Sequence, residues 1–115
     1  MLMPLPLRLW VLAVLMLSAG STPALTSRED FEKWCAQTSA AGSGRCLGYL
    51  LAAEDALSHD SIEGVRACLP AEILLPEQYR IVSDWLKAHP EARAATAMGL
   101  IARAYAATYP CPALR

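Results

Sequence analysis

Between residues 45 and 57 the apolar positions Cys46, Tyr49, Leu50, Ala53 and Leu57 recur at intervals of three and four, the repeat of one face of an α-helix. Cys46 therefore belongs to the buried side. Gly48, Ala52 and Ala56 form a second stripe of small residues, which would let another backbone approach closely. Glu54 and Asp55 are consecutive, so on a helix they diverge by about 100° and cannot face each other as an acid/base pair.

Upstream, Ser27 stands as an N-cap with Asp30 three residues on, the spacing of a capping box in which Glu or Gln is the usual partner. Phe31 and Trp34 then share a face, with Cys35 beside them. Residues 36–44 (AQTSAAGSG) are small and polar with two glycines, which predicts a loop. Downstream, residues 58–64 are polar and predict a loop with a short turn, leading to Cys68, Leu69 and Pro70.

Pro76 is expected in the first turn of a third helix, where the missing N–H costs nothing, followed by Glu77 at the positive helix end. Ile81, Val82, Trp85 and Leu86 are its apolar stripe, and Pro90 ends it after His89. The last helix is expected over residues 91–108, with Ala94, Ala97, Met98, Ile101, Ala104, Tyr105 and Thr108 on one face, stopped by Pro110, Cys111 and Pro112. No stretch alternates with a period of two. The fold class is therefore all-α, a small bundle of about four helices. Tyr49, Trp85 and Tyr105 fall on its core stripes.

The start of the chain has another pattern. Residues 1–8 carry one positive side chain, Arg8, and no acid; residues 9–17 (LWVLAVLML) are unbroken apolar; small residues follow in SAGSTPA. That is the order of a secretory leader. Even extended to residue 19, the apolar run is short of the roughly 20 residues needed to span a bilayer. Thr22 and Ala24 sit three and one before a cut, which predicts a leader over residues 1–24 and a domain over 25–115. Ser18 and Gly20 are the second choice. No cysteine precedes Cys35 to carry a lipid at the junction, so a soluble product outside the cytoplasm is expected.

Without Arg8 the chain keeps nine Lys and Arg against eleven Asp and Glu, a formal charge of −2 with the signs interspersed. No basic face is available for phosphate backbones or anionic membranes, so no nucleic acid or membrane partner is expected. The four cysteines, Cys35, Cys46, Cys68 and Cys111, are an even set behind an export signal, which predicts disulfides. Their separations of 11, 22 and 43 hold no metal-binding knuckle, so no metal is expected. Four cysteines admit three connectivities, and spacing alone does not choose among them.

His59 and His89 have no neighbours at metal-ligand spacing and read as solvated side chains. No phosphate loop, nucleophile elbow or dinucleotide fingerprint occurs, so neither catalysis nor a cofactor is expected.

Taken in order, CLGYLLAAEDA at residues 46–56, CLP at 68–70, the helix holding Gln78, Ile81, Val82, Trp85 and Leu86, the dipeptide His89 and Pro90, and TYPC ending at Cys111 resemble one family. It is the Rap/Tai family of small periplasmic immunity proteins, which protect Gram-negative bacteria against peptidoglycan amidases delivered by type VI secretion. The likeness covers residues 35–111. It departs at Ala52, where the family commonly has a second glycine, and at Leu75, where a capping Ser or Thr is expected. The resemblance implies a helical bundle, often a homodimer, that acts in the periplasm by occupying an amidase's active-site cleft. A general envelope or stress protein, such as a small helical periplasmic chaperone, is the alternative.

The pairing expected is Cys35 with Cys46 and Cys68 with Cys111. Cys35 and Cys46 adjoin apolar faces that must meet, and the second bond would tie the end of the last helix to the segment before the third. For the partner contact the expectation falls on residues 58–66. There His59, Asp60 and Glu63 could hydrogen-bond into an amidase cleft and Ile62 could fill a pocket.

Overall fold

Ser27 and Asp30 close their capping box: the Asp30 N–H donates to Ser27 Oγ at 3.1 Å and the Ser27 N–H to Asp30 Oδ2 at 3.4 Å. From this cap runs α1, Arg28–Ala36. The computed structural model describes residues 25–113, and the leader expected over residues 1–24 lies outside the described residues.

The second helix, α2, is Ala40–His59, five residues longer at its start than the apolar repeat predicts. Of the loop expected over residues 36–44, only 37–39 connect the helices. The reason lies in Ser39 and Gly42. Ser39 Oγ accepts the Gly42 N–H at 3.2 Å, and the Gln37 side chain folds over Gly42 where any β-carbon would collide with it. The glycine that suggests a loop is thus a site of close packing within a helix. Gly48, Ala52 and Ala56 are all exposed, and a β-carbon on Gly48 would touch nothing. No backbone among the described residues packs against that stripe.

Helix α3, Leu75–Ala88, has Pro76 in its first turn and stops at His89 before Pro90, as the sequence predicts. Helix α4, Ala97–Thr108, starts six residues later than expected. Residues 91–96 are instead a loop tied down by side chains from two other elements, described below. The described residues hold these four helices and no strand, only an isolated bridge between Ile62 and Val65.

The core is built from one face of each helix. Phe31 comes from α1; Cys46, Leu50, Ala53 and Leu57 from α2; Ile81, Val82 and Leu86 from α3; Leu100, Ile101, Ala104 and Tyr105 from α4. Tyr49 joins α1 to α2 through its ring, 5.7 Å from Phe31 and edge-on to Trp34 at 5.9 Å.

Two disulfides brace this bundle, Cys35 to Cys46 and Cys68 to Cys111, with Cα separations of 5.0 and 4.9 Å. The first joins α1 to α2. The second anchors the chain after α4 to the segment before α3, and the Cys68 N–H also donates to the Tyr109 carbonyl at 2.8 Å.

Candidate partner-binding site

His59 is the last residue of α2, and Asp60 is its C-cap; both are exposed, and Asp60 Oδ1 accepts the Ser61 N–H at 2.7 Å. Ile62 is half-buried against the core and exchanges two backbone hydrogen bonds with Val65, each 2.9 Å. That closes a two-residue turn with Glu63 at φ 49° and Gly64 at φ 78°. Gly64 adopts such a φ freely, whereas Glu63 is strained by it.

The strain at Glu63 is offset by its side chain. The carboxylate accepts the Ala95 N–H at 2.7 Å, the Thr96 N–H at 3.2 Å and the Thr96 hydroxyl at 2.9 Å. Desolvation is the largest influence on this carboxyl and pushes its pKa up. The hydrogen bonds from Thr96 and Ala95, with the charge of Arg103, together outweigh it and hold the group below its ordinary value. Ile62 and Glu63 are expected from the sequence to meet a partner. The structure engages both within the chain, because Ile62 packs on the core and Glu63 anchors the loop ahead of α4.

Every free N–H at the start of α4 is answered. Ala97 donates to the Thr26 carbonyl at 2.9 Å, Met98 to Tyr49 Oη at 3.1 Å, and Gly99 to Thr96 Oγ1 at 3.4 Å. The helix start is therefore fixed by its own cap, Thr96, and by residues from three other segments, Thr26, Tyr49 and Glu63, which satisfies the groups that every helix leaves unpaired.

Arg28 reaches across from α1 to cap the carboxyl end of α3. The Arg28 guanidinium donates to the carbonyls of Leu86 at 2.9 Å, His89 at 2.8 Å and Ala92 at 3.3 Å, while its Nε pairs with Glu32 at 2.8 Å. A cation there also suits the negative end of the helix dipole. His89 is exposed, with its ring stacked on Trp85 at 4.2 Å and Nδ1 2.8 Å from the Trp85 carbonyl.

Arg28 is a strut as well as a cap. No Cα of α1 lies within 8 Å of one of α3, and between the two helices lies a groove of about 380 Å³. Phe31, Val82 and Leu86 floor it, and Tyr79, Ser83 and Lys87 stand along its α3 wall. Cys35, disulfide-bonded to α2, lines the α1 wall. Tyr79 is 40% exposed.

One polar chain crosses the core. Tyr105 Oη, fully buried on α4, donates to Gln78 Oε1 at 2.8 Å, and Gln78 Nε2 donates to Glu54 on α2. Gln78 is 1% exposed, the one buried polar side chain among the described residues. Burial, with the Glu54 charge second, pushes the Tyr105 hydroxyl far up, so it stays a donor.

This network, the Arg28 cap and the role of Glu63 are missing from the sequence reading. Gln78 did leave a signal, since it lies three and four residues before Ile81 and Val82 on the apolar stripe. Nothing local marks Arg28 as a cap, because its carbonyl acceptors lie 58 to 64 residues away. No three His, Cys, Asp or Glu side chains gather into a metal site among the described residues. No helix among them is long and apolar enough to cross a membrane.

Comparison with the curated proteins and with the solved structures finds no match. Comparison with protein-family models does: residues 27–111 match the Rap1a immunity proteins, from the Ser27 cap through all four helices to the last cysteine. With the match spanning the whole bundle, the chain belongs to the Rap1a immunity protein family.

Proposed function

We propose that this protein is the periplasmic immunity partner of a secreted peptidoglycan amidase, a non-enzymatic inhibitor that binds the effector and covers its active-site cleft. The family match over residues 27–111 carries the reading. The two disulfides support export, because such bonds form and persist in oxidising compartments.

Inhibition by occlusion needs a surface held rigid before contact, since ordering it on binding would cost affinity. The segment at residues 58–66 meets that need. Its turn is pinned by Ile62 below and by Glu63 at the start of α4, so that of the four residues expected at the contact His59 and Asp60 stay exposed for the effector. The homodimer that the resemblance implies is assigned to the outer face of α2. There Leu47 and Leu51 are 37% and 46% exposed beside Gly48, so a second copy could approach closely.

The test is co-production in the periplasm of a bacterial host with the peptidoglycan hydrolase encoded beside this gene. The protein should restore growth that the hydrolase alone abolishes. Lysis that proceeds unchanged in the presence of folded, exported protein contradicts the reading.

A further inference from the structure

We propose that the groove between α1 and α3 is a second docking site, one that takes an apolar side chain flanked by a carboxylate. The inference rests on the immunity reading for the identity of the partner, but its chemistry is that of the groove alone.

Three observations carry it. The first is size: about 380 Å³ lies within the range of about 300 to 1,000 Å³ typical of ligand pockets, enough for a large side chain and its neighbours. The second is preorganisation. The α1 wall is bonded to α2 through Cys35 and Cys46, and Arg28 holds the amino end of α1 to the carboxyl end of α3 through the Leu86 and His89 carbonyls and to the next loop through that of Ala92. The groove therefore does not close by collapse, although its floor of Phe31, Val82 and Leu86 is apolar. Tyr79 stands at its edge, and aromatic side chains of this kind are frequent anchors of protein interfaces.

The third is charge. Arg28 and Glu32 neutralise each other at 2.8 Å, and three of the four remaining Arg28 donors are taken by carbonyls. Lys87 lines the same groove and makes no ion pair or side-chain hydrogen bond with the described residues. The walls thus carry one surplus positive charge over an apolar floor. An occupant with an apolar body and an anionic end complements both, and a cationic end is disfavoured by the same Lys87.

The probes are 4-phenylbutyrate and 4-phenylbutylammonium, which share an apolar body and differ in charge. They are titrated at low salt into isotope-labelled protein purified from the periplasm, with backbone amide shifts as the readout. The butyrate should perturb amides around Phe31, Cys35, Tyr79 and Lys87 and bind about threefold more tightly than the ammonium. Lys87→Glu should reverse that preference, and Ser83→Trp, which fills the groove from its wall, should abolish both. Equal affinities, shifts that map elsewhere, or binding that survives Ser83→Trp in a folded variant would overturn the proposal. No effector is present in this titration, so its failure leaves the immunity reading standing.

Discussion

The Glu63 carboxylate occupies the space where a β-carbon on residue 99 would lie, so the glycine in the first turn of α4 and the strained glutamate of the turn are one structural unit. Gly99 is buried inside a helix, where alanine is ordinarily favoured by about 1 kcal/mol. Here Gly99→Ala should instead destabilise the protein by about 1 to 3 kcal/mol, because it expels the acceptor of the Ala95 and Thr96 donors. Denaturant unfolding of the two proteins checks the sign. A gain in stability would mean that Glu63 does not hold the start of α4.

The same carboxylate predicts a pH dependence. Its folded pKa lies below the ordinary value of 4.5, so its stabilisation is complete above about pH 4.5 and fades as the pH falls through the folded value. The stability difference between the native protein and Glu63→Gln should thus be largest near neutrality and shrink in acid. A difference independent of pH across that range would assign the effect to shape rather than charge.

Tyr105→Phe removes one hydroxyl from a fully buried ring and leaves Gln78 Oε1 without its donor. The expected cost is about 1 to 3 kcal/mol, the range for orphaning a buried polar group. Adding Gln78→Met makes both ends of that bond apolar but takes a donor from Glu54, so the double variant should lose less than the sum of the two single losses. A double-mutant cycle with no coupling would show the hydroxyl and amide to be independent.

The disulfides close segments of 11 and 43 residues. On chain-entropy grounds their removal should cost about 3 and about 4 kcal/mol, with the longer loop costing more. Paired alanine replacements at Cys35 and Cys46, and separately at Cys68 and Cys111, compared by chemical denaturation, check the order. Equal or reversed losses would mean that native contacts, not loop closure, set their contributions.

Much of this bundle was legible from periodicity alone. Cys46, Leu50, Ala53 and Leu57 repeat along one helical face and are all buried, and the Ser27 cap and Pro90 stop act at the expected ends. Both errors of boundary arose where a tertiary contact overrode a local signal. Gly42 reads as a loop residue until Gln37 is seen packed over it, and residues 91–96 read as helix until Glu63 and Arg28 are seen holding their backbone in another shape. The candidate site was less legible. Its polar residues are visible in the sequence, but Glu63 differs from Asp60 only in the direction imposed by a positive φ and by donors 32 and 33 residues away. The α1/α3 groove is a gap between elements and has no local pattern.

The central claim is that this domain inhibits a secreted amidase by binding it, with His59 and Asp60 at the contact. The most direct measurement is the Kd for the purified hydrolase encoded beside this gene, taken with its peptidoglycan-cleaving rate. The account predicts a stable complex with cleavage suppressed in proportion to its occupancy. It also predicts that the folded double variant His59→Ala, Asp60→Ala binds more than about tenfold more weakly, a loss above about 1.4 kcal/mol. A complex unaffected by the double variant would move the contact elsewhere on the bundle. The absence of any complex between the folded protein and that hydrolase, with cleavage at its full rate, would contradict the account.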